Sequence, residues 1–166
     1  MADDIKTVLG IDPGYGRCGF GVIEQTGSDR ADWSHVAYGV ITTSPDSEHA
    51  DRLCEIVADL KSIIAKHQPS MLVIEELFFA KSTTTALKVA EVRGVIIAEA
   101  RAAGLDVVEV KPNEVKMALT GYGKAEKGQI QEMVKTIFKL DEVPRPDDAA
   151  DALAIAWCGA SRARFE

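Results

Sequence analysis

Apolar runs follow one another along this chain in an order that few folds accommodate. Three short runs rich in β-branched residues, at 5–11, 17–24 and 36–42, come first, with polar loops between them. Runs of this length joined by short loops predict three strands in an antiparallel meander. Two further runs, at 71–74 and 107–110, alternate with helical patterns. The sequence therefore predicts an α/β fold: a mixed five-stranded sheet, with three antiparallel strands and then parallel strands, and helices on both faces.

The helices are predicted from apolar residues spaced three and four apart. The first helix ends near His67 and has one apolar face: Leu53, Ile56, Val57, Leu60, Ile63 and Ile64. Further helices are predicted at 82–103, at 113–119, at 130–138 and from Asp147 or Asp148 through Trp157. A glycine-rich basic loop lies at 121–128. This order is that of a ribonuclease-H-like fold, and the length predicts one domain, 1–166.

Composition excludes several classes of protein and of metal site. No stretch approaches the roughly 18 apolar residues of a membrane span, and the N-terminus is acidic where a signal peptide is basic, so we expect a soluble cytoplasmic protein. Cys18, Cys54 and Cys158 lie in unrelated contexts and are expected to be small buried side chains. Because the cysteines and the scattered histidines form no zinc pattern, any metal must be held by oxygen.

The charge is unevenly distributed along the chain. A net charge of −7 argues against nucleic-acid binding as a whole-chain property, since phosphate contacts require Lys and Arg. Residues 80–140, however, contain ten Lys or Arg against seven Asp or Glu. One part of the surface can therefore face DNA.

Two carboxylates stand where predicted strands end. Asp12 follows an apolar run and precedes Pro13-Gly14, and Glu75 follows the apolar run 71–74. Burying two such acids without partners is costly, which favours a functional reason for their placement. The alternative for Asp12 is a turn-forming aspartate before Pro-Gly.

A second pair of acids begins the last predicted helix. Asp148 and Asp151 are three residues apart, so they project from the same helix face. Acids are also favoured in the first turn of any helix by capping and by the helix dipole, and this reading is equally open for the pair alone. The set of four acids favours function, because Mg²⁺ and Mn²⁺ prefer oxygen ligands and relieve the repulsion between carboxylates. Two such ions about 4 Å apart support phosphodiester hydrolysis.

These residues, together with their surroundings, resemble the RuvC family of Holliday-junction resolvases. The resemblance rests on five blocks in order: GIDPG at 10–14, VIEELFFAKS at 73–82, ALKVAEVRGV at 86–95, GYGKAEKGQ at 121–129 and DAADALAIA at 148–156. It implies a metal-dependent endonuclease that cuts four-way junction DNA, with two Mg²⁺ ions per active site and with Mn²⁺ able to replace them.

The resemblance also implies roles for individual residues. The four metal-binding catalytic positions fall on Asp12, Glu75, Asp148 and Asp151. Glu76 and Asp147 are extra acids beside them, and Asp147 is a candidate helix cap. Lys116 and Lys127 match lysines near the scissile phosphate, with a solvated basic loop as the alternative. Phe78 matches an aromatic residue that stacks at the junction centre, with a core phenylalanine as the alternative.

Further DNA contacts and partners follow from the same resemblance. The remaining candidate DNA-binding residues are Lys81, Lys88, Arg93, Lys111 and Lys124. The family is dimeric, which suits a junction of near two-fold symmetry, and the apolar helix at 82–103 is a candidate for both core and dimer contacts. The family's partner is the RuvA–RuvB branch-migration complex. The acidic net charge departs from the basic members of the family and predicts a DNA affinity that is weaker or more dependent on the partner complex.

Three other kinds of protein share some of these sequence features. Actin-like ATPases and sugar kinases share this fold core, and Gly14, Gly16, Gly19 and Gly21 suit a phosphate loop, but those proteins duplicate the fold and this chain has no second copy. A non-catalytic junction-binding protein would lack one or more of the acids. A related nuclease acting on RNA–DNA hybrids or other branched DNA would share the same carboxylates.

Overall fold

A computed structural model describes residues 7–29, 31–78 and 83–163, and it confirms the predicted five-stranded mixed sheet. The strands are β1 (Thr7–Asp12), β2 (Arg17–Gln25), β3 (Trp33–Thr42), β4 (Met71–Glu75) and β5 (Asp106–Val110). They lie side by side in the order β3-β2-β1-β4-β5. The first three form the antiparallel meander, while β4 and β5 add parallel to β1.

The sheet register explains why two acids share one edge. Parallel strands end at the same edge of a sheet, and Ile11 of β1 pairs with Ile74 of β4. The next residue of each strand is an acid, Asp12 in β1 and Glu75 in β4. Both carboxylates therefore leave the sheet at the carboxyl ends of neighbouring strands.

Five helices cover the two faces of the sheet. They are α1 (His49–His67), α2 (Thr83–Ala102), α3 (Pro112–Thr120), α4 (Lys127–Ile137) and α5 (Asp147–Arg162). Strand residues alternate between the faces, so that Val8 packs with α3, α4 and α5, whereas Leu9 packs with α1 and α2. The prediction of helices on both faces is confirmed. No helix in the described part of the chain is both long and apolar enough to cross a membrane.

Helix α5 lies unusually close to the sheet because glycines face it. A Cβ added to Gly19 would lie 1.9 Å from the backbone oxygen of Asp148, and one added to Gly10 would lie 2.2 Å from that of Ala152. Gly21 faces Leu153 in the same way. The strand glycines that suggested a phosphate loop thus include two, Gly19 and Gly21, that admit the backbone of α5.

Several boundaries differ from the predictions. Helix α1 begins four residues before Leu53, and α4 begins at Lys127 within the segment predicted as a loop. Apolar periodicity misses both first turns because they are mostly polar and exposed. The expectation that all three cysteines are buried is wrong for Cys54, which lies on the exposed side of α1.

Candidate active site

Three carboxylates meet at the carboxyl edge of β1. Oxygens of Asp12, Asp148 and Asp151 lie within 4.8 Å of one another. Asp12 is the last residue of β1, and the other two lie one turn apart at the start of α5. The close approach of α5 at Gly19 brings Asp148 to the strand end. The fold therefore brings together acids that are more than 130 residues apart in the sequence.

The fourth acid, Glu75, lines a cavity of about 260 Å³ together with Asp12 and Asp151. The cavity is lined by Asp12, Glu75, Asp151, Lys116 and Lys127, together with apolar residues of α3, α4 and α5. Glu75 is not part of the three-carboxylate group, although its charge acts on Asp12. The predicted set of four acids thus consists of a tight group of three and one further acid that lines the same cavity.

Burial and repulsion between carboxylates raise the pKa values of Asp12, Glu75 and Asp151. Burial, followed by the charges of Asp151, Glu75 and Asp148, raises the pKa of Asp12 to about 8. Burial and the charge of Asp151 raise the pKa of Glu75 to about 7, against the opposing effect of Lys116. Burial also raises the pKa of Asp151, although Lys127 acts in the opposite direction. Without a cation, the site resists full ionisation.

The donor set fits a hard divalent cation. All the donors are carboxylate oxygens, the ligands that Mg²⁺ and Mn²⁺ prefer. Asp148 Oδ2 is buried and accepts no hydrogen bond from any described residue. Arg17 Nε lies 2.5 Å from this oxygen but is not aligned to donate a hydrogen bond. A cation among the three acids would satisfy this oxygen and offset their repulsion.

We expect the metal-free protein to lose stability as the pH rises from about 5 to about 8. Asp12 and Glu75 hold protons in the folded state that the unfolded chain releases, because their folded pKa values are raised. Their contribution to stability is therefore complete at low pH and is lost as the pH passes through about 7 and about 8. Thermal unfolding in EDTA across this range measures the loss. Added Mg²⁺ should remove most of it, and a flat profile in EDTA would contradict the prediction.

Both of the predicted catalytic lysines line the cavity. Lys116 projects from α3 and Lys127 from the first turn of α4. Lys127 Nζ lies 3.2 Å from Asp147 Oδ2 and 3.9 Å from Asp151 Oδ2. Burial lowers the pKa of Lys127, but the hydrogen bond to Asp147 and the charges of the neighbouring acids outweigh it, so the pKa is raised. Lys127 therefore remains a cation beside the carboxylates.

The other predicted DNA-binding residues are in different surroundings. Lys111 and Lys124 are exposed on the α3 and α4 side, and Phe78 is 62% exposed beyond the end of β4. The exposure of Phe78 disfavours the alternative of a core phenylalanine. Lys88 lies beside the ring of Tyr15, and Lys81 lies outside the described residues.

Arg93, another predicted DNA contact, is mostly covered and has two partners within the chain. Only 14% of its side chain is exposed. Its Nε donates to the backbone oxygen of Glu75 at 2.9 Å, and its guanidinium pairs with Glu109 of β5. These contacts join α2 to the ends of β4 and β5, and the role of Arg93 as a DNA contact stays a prediction.

Sequence reasoning missed Arg17 and misplaced Asp147. Arg17 begins β2, and the turn after Asp12 returns it to the edge where the acids lie. The tight Pro-Gly turn is the signal that could have identified it. Asp147 is the first residue of α5 and not its cap, which is Pro146; it pairs with Lys127 and Arg145.

Comparison with known proteins identifies the family. A family model described as "Crossover junction endodeoxyribonuclease RuvC" matches residues 8–159. The chain belongs to the RuvC family. The RuvC protein of Heliobacterium modesticaldum is 50% identical over 151 residues, covering 91% of each chain. RuvC of Thermosipho melanesiensis is 45% identical over 158 residues, covering 95% of this chain and 99% of that protein.

A solved structure extends the similarity to the whole RuvC fold. Thermus thermophilus RuvC in complex with its Holliday junction substrate superposes with a TM-score of 0.90 at 36% identity, covering 96% of each chain. This RuvC chain is thus an enzyme of the crossover junction endodeoxyribonuclease class with a ribonuclease-H-like fold. Membership of the RuvC family sets aside the actin-like ATPases and sugar kinases.

Proposed function

We propose that this chain resolves Holliday junctions by paired, symmetric, metal-dependent phosphodiester hydrolysis during homologous recombination and DNA repair. The observation that carries the proposal is the group of Asp12, Asp148 and Asp151 with oxygens within 4.8 Å, at a cavity shared with Glu75. The chain's membership of the RuvC family and its similarity to a junction-bound relative support Holliday junction DNA as the substrate.

The four carboxylates are proposed to hold two Mg²⁺ ions, with Mn²⁺ able to replace them. Asp12 is central, because the charges of the other three acids all act on it. When bound, the metal supplies Lewis-acid stabilisation of the phosphate and activation of a water nucleophile. Asp148 Oδ2 is buried and accepts no hydrogen bond although Arg17 lies beside it, which supports a cation on that side of the cluster.

Two lysines on the cavity wall are proposed to act on the substrate itself. Lys116 and Lys127 present cations to the space where the scissile phosphate must lie if it is to reach the carboxylates. Fixed cations there stabilise the negative charge that develops in the transition state. The contact of Asp147 with Lys127 Nζ holds that lysine at the cavity mouth before DNA arrives.

The DNA path is proposed to extend from the cavity in two directions. Lys111 and Lys124 supply phosphate contacts on the α3 and α4 side, while Lys88 of α2 supplies them on the other side. Lys81, which lies outside the described residues, is proposed as a further phosphate contact. Phe78 follows Glu75 by three residues and is proposed to stack on an unpaired base at the junction centre, which the exposure of its ring supports.

We further propose a homodimer, since two symmetric nicks require two active sites related by a two-fold axis. The outer face of α2 supports this, because it exposes Leu87, Ala90 and Ala98 to solvent. Small and apolar residues on one exposed helix face suit close packing against a second copy. The chain is proposed to act on DNA as one domain, in the cytoplasm, with the RuvA–RuvB complex as partner.

A cleavage assay on a synthetic mobile four-way junction tests the proposal. We expect paired symmetric nicks on the junction in Mg²⁺ or Mn²⁺, none in EDTA, and none on a linear duplex. Asp148→Asn should abolish the nicks while retaining junction binding. Cleavage of an RNA–DNA hybrid instead would retain the metal chemistry and refute the substrate. Binding to the junction without cleavage in either metal would favour the non-catalytic alternative.

A further inference from the structure

A second group of cations lies on the face of the sheet opposite to Lys116 and Lys127. The guanidinium carbon of Arg52 lies 3.8 Å from the centroid of the Tyr15 ring, and Lys88 Nζ lies 5.3 Å from the same centroid. Arg52 belongs to α1 and Lys88 to α2, while Tyr15 lies in the turn after β1. Three separate segments therefore bring two cations to one aromatic ring.

Tyr15 is held by hydrogen bonds at its hydroxyl group and at its backbone oxygen. The Tyr15 hydroxyl lies 2.8 Å from His49 Nδ1, and the other ring nitrogen of His49 contacts Glu91 of α2. Thr43 Oγ1 donates a hydrogen bond to the backbone oxygen of Tyr15 at 3.0 Å. The same hydroxyl group accepts one from Arg52 Nε, also at 3.0 Å. The cations are thus presented by an ordered framework and not by free surface side chains.

The two cations of this group lack a direct carboxylate partner within the described part of the chain. Arg52 and Lys88 form no ion pair with any described carboxylate, whereas several other cations do: Lys61, Arg93, Arg101, Arg145 and Arg162. Two cations held near one ring repel each other, and the aromatic face offsets only part of that cost. An anion bound beside these cations would offset the rest of that cost.

The position of the group relates it to the active site. Tyr15 follows Asp12 by three residues, so the group lies at the sheet edge where the carboxylates lie. Lys116 and Lys127 approach that edge from the face covered by α3 and α4, while Arg52 and Lys88 approach it from the face covered by α1 and α2. Cations therefore flank the acidic cluster from both faces of the sheet.

We propose that Arg52 and Lys88, presented by the Tyr15 ring, bind a backbone phosphate of the DNA strand that leaves the active-site cavity towards α1 and α2. The inference rests on the proposed nuclease function and adds a site to it. Sequence reasoning placed Lys88 on the DNA path, but Arg52 and Tyr15 had no assigned role. A phosphate held here fixes the direction of the strand on the far side of the carboxylates from Lys116 and Lys127.

The salt dependence of junction binding tests this site. In EDTA, where the junction is bound but not cut, Lys88→Gln should lower the slope of log affinity against log salt by about 0.9, equivalent to an affinity loss of about eightfold at 0.1 M salt. Lys61→Gln is the matched control, because it removes the same charge from an exposed lysine towards the other end of α1. Equal changes in both variants would mean that only net charge matters, and would overturn the proposal.

Arg52 provides the second arm of the experiment. Arg52→Gln should lower the slope by a similar amount, while Arg52→Lys, which keeps the charge, should restore most of it. An unchanged slope in Lys88→Gln, or equal slopes in both Arg52 variants, would refute the phosphate site. Failure of the wild-type protein to cut a junction in Mg²⁺ would instead refute the proposed function, because the binding comparison needs no cleavage.

Discussion

Asp12→Asn should abolish metal-dependent cleavage and, at the same time, stabilise the metal-free protein. Asp12 is the acid on which the charges of Asp151, Glu75 and Asp148 all act. An amide in its place removes one negative metal ligand from the centre of the group. Since a bound metal contributes several kcal/mol to the transition state, we expect cleavage to fall by about 10³-fold or more.

The expected gain in stability follows from the raised pKa of Asp12. At neutral pH this carboxyl group is ionised in the unfolded chain. In the folded protein it is mostly protonated, because its pKa there is about 8. Asparagine does not ionise, so this cost disappears, and the gain should grow as the pH rises towards 8. Thermal unfolding in EDTA and in Mg²⁺ measures both effects. Asp59→Asn, an exposed change on α1, is the control and should alter neither property.

A destabilised Asp12→Asn protein in EDTA would mean that the carboxylate has a favourable partner in the folded state. Cleavage at near wild-type rate would remove Asp12 from the metal site. Loss of cleavage together with the predicted stabilisation would show that Asp12 serves catalysis and not stability. Replacement of an acid that stabilises the fold should instead destabilise the protein.

Gly19→Ala should disrupt the active site without changing any residue that contacts substrate. The new methyl group would lie 1.9 Å from the backbone oxygen of Asp148 and 2.4 Å from its carbonyl carbon. Neither backbone can yield by a side-chain rotation, so the start of α5 must move away from β2. Overpacking of this kind costs about 1–3 kcal/mol or more, and a displacement of about 1 Å at catalytic groups can cost about 10²-fold in rate.

Melting temperature and cleavage rate are measured together for this variant. Gly128→Ala is the matched control, since an added Cβ there meets nothing within 4 Å and alanine favours the helix. The control should melt at or above the wild-type temperature. If Gly19→Ala cuts junctions as fast as the wild type, the close approach of α5 to β2 is not needed to place Asp148.

The element order and the acids were predictable because each depends on local pattern. Asp12 and Glu75 follow apolar strands directly, and parallel strands must end at the same edge of the sheet. Asp148 and Asp151 share a helix face through their spacing alone. These rules need no knowledge of distances between elements. They are enough to predict the fold and a set of four candidate carboxylates.

Arg93 and Lys88 show where local pattern fails. Both lie on α2, yet Arg93 is covered and bound to Glu75 and Glu109, whereas Lys88 lies beside the Tyr15 ring. Apolar residues occur on all sides of α2, so periodicity does not reveal which side faces the sheet. Local pattern also does not reveal the role of Arg17, because its contact with Asp148 depends on the distance between β2 and α5.

Helix α5 contains two catalytic candidates and has more buried residues than any other helix that the structure describes. Ten of its residues are buried, most of them alanines packed against the sheet. Such segments exchange their amide hydrogens only when the whole molecule opens, whereas many enzymes carry catalytic groups on segments that open locally. Heat inactivation of this enzyme should therefore coincide with global unfolding, leaving no temperature range in which a folded protein has already lost its activity.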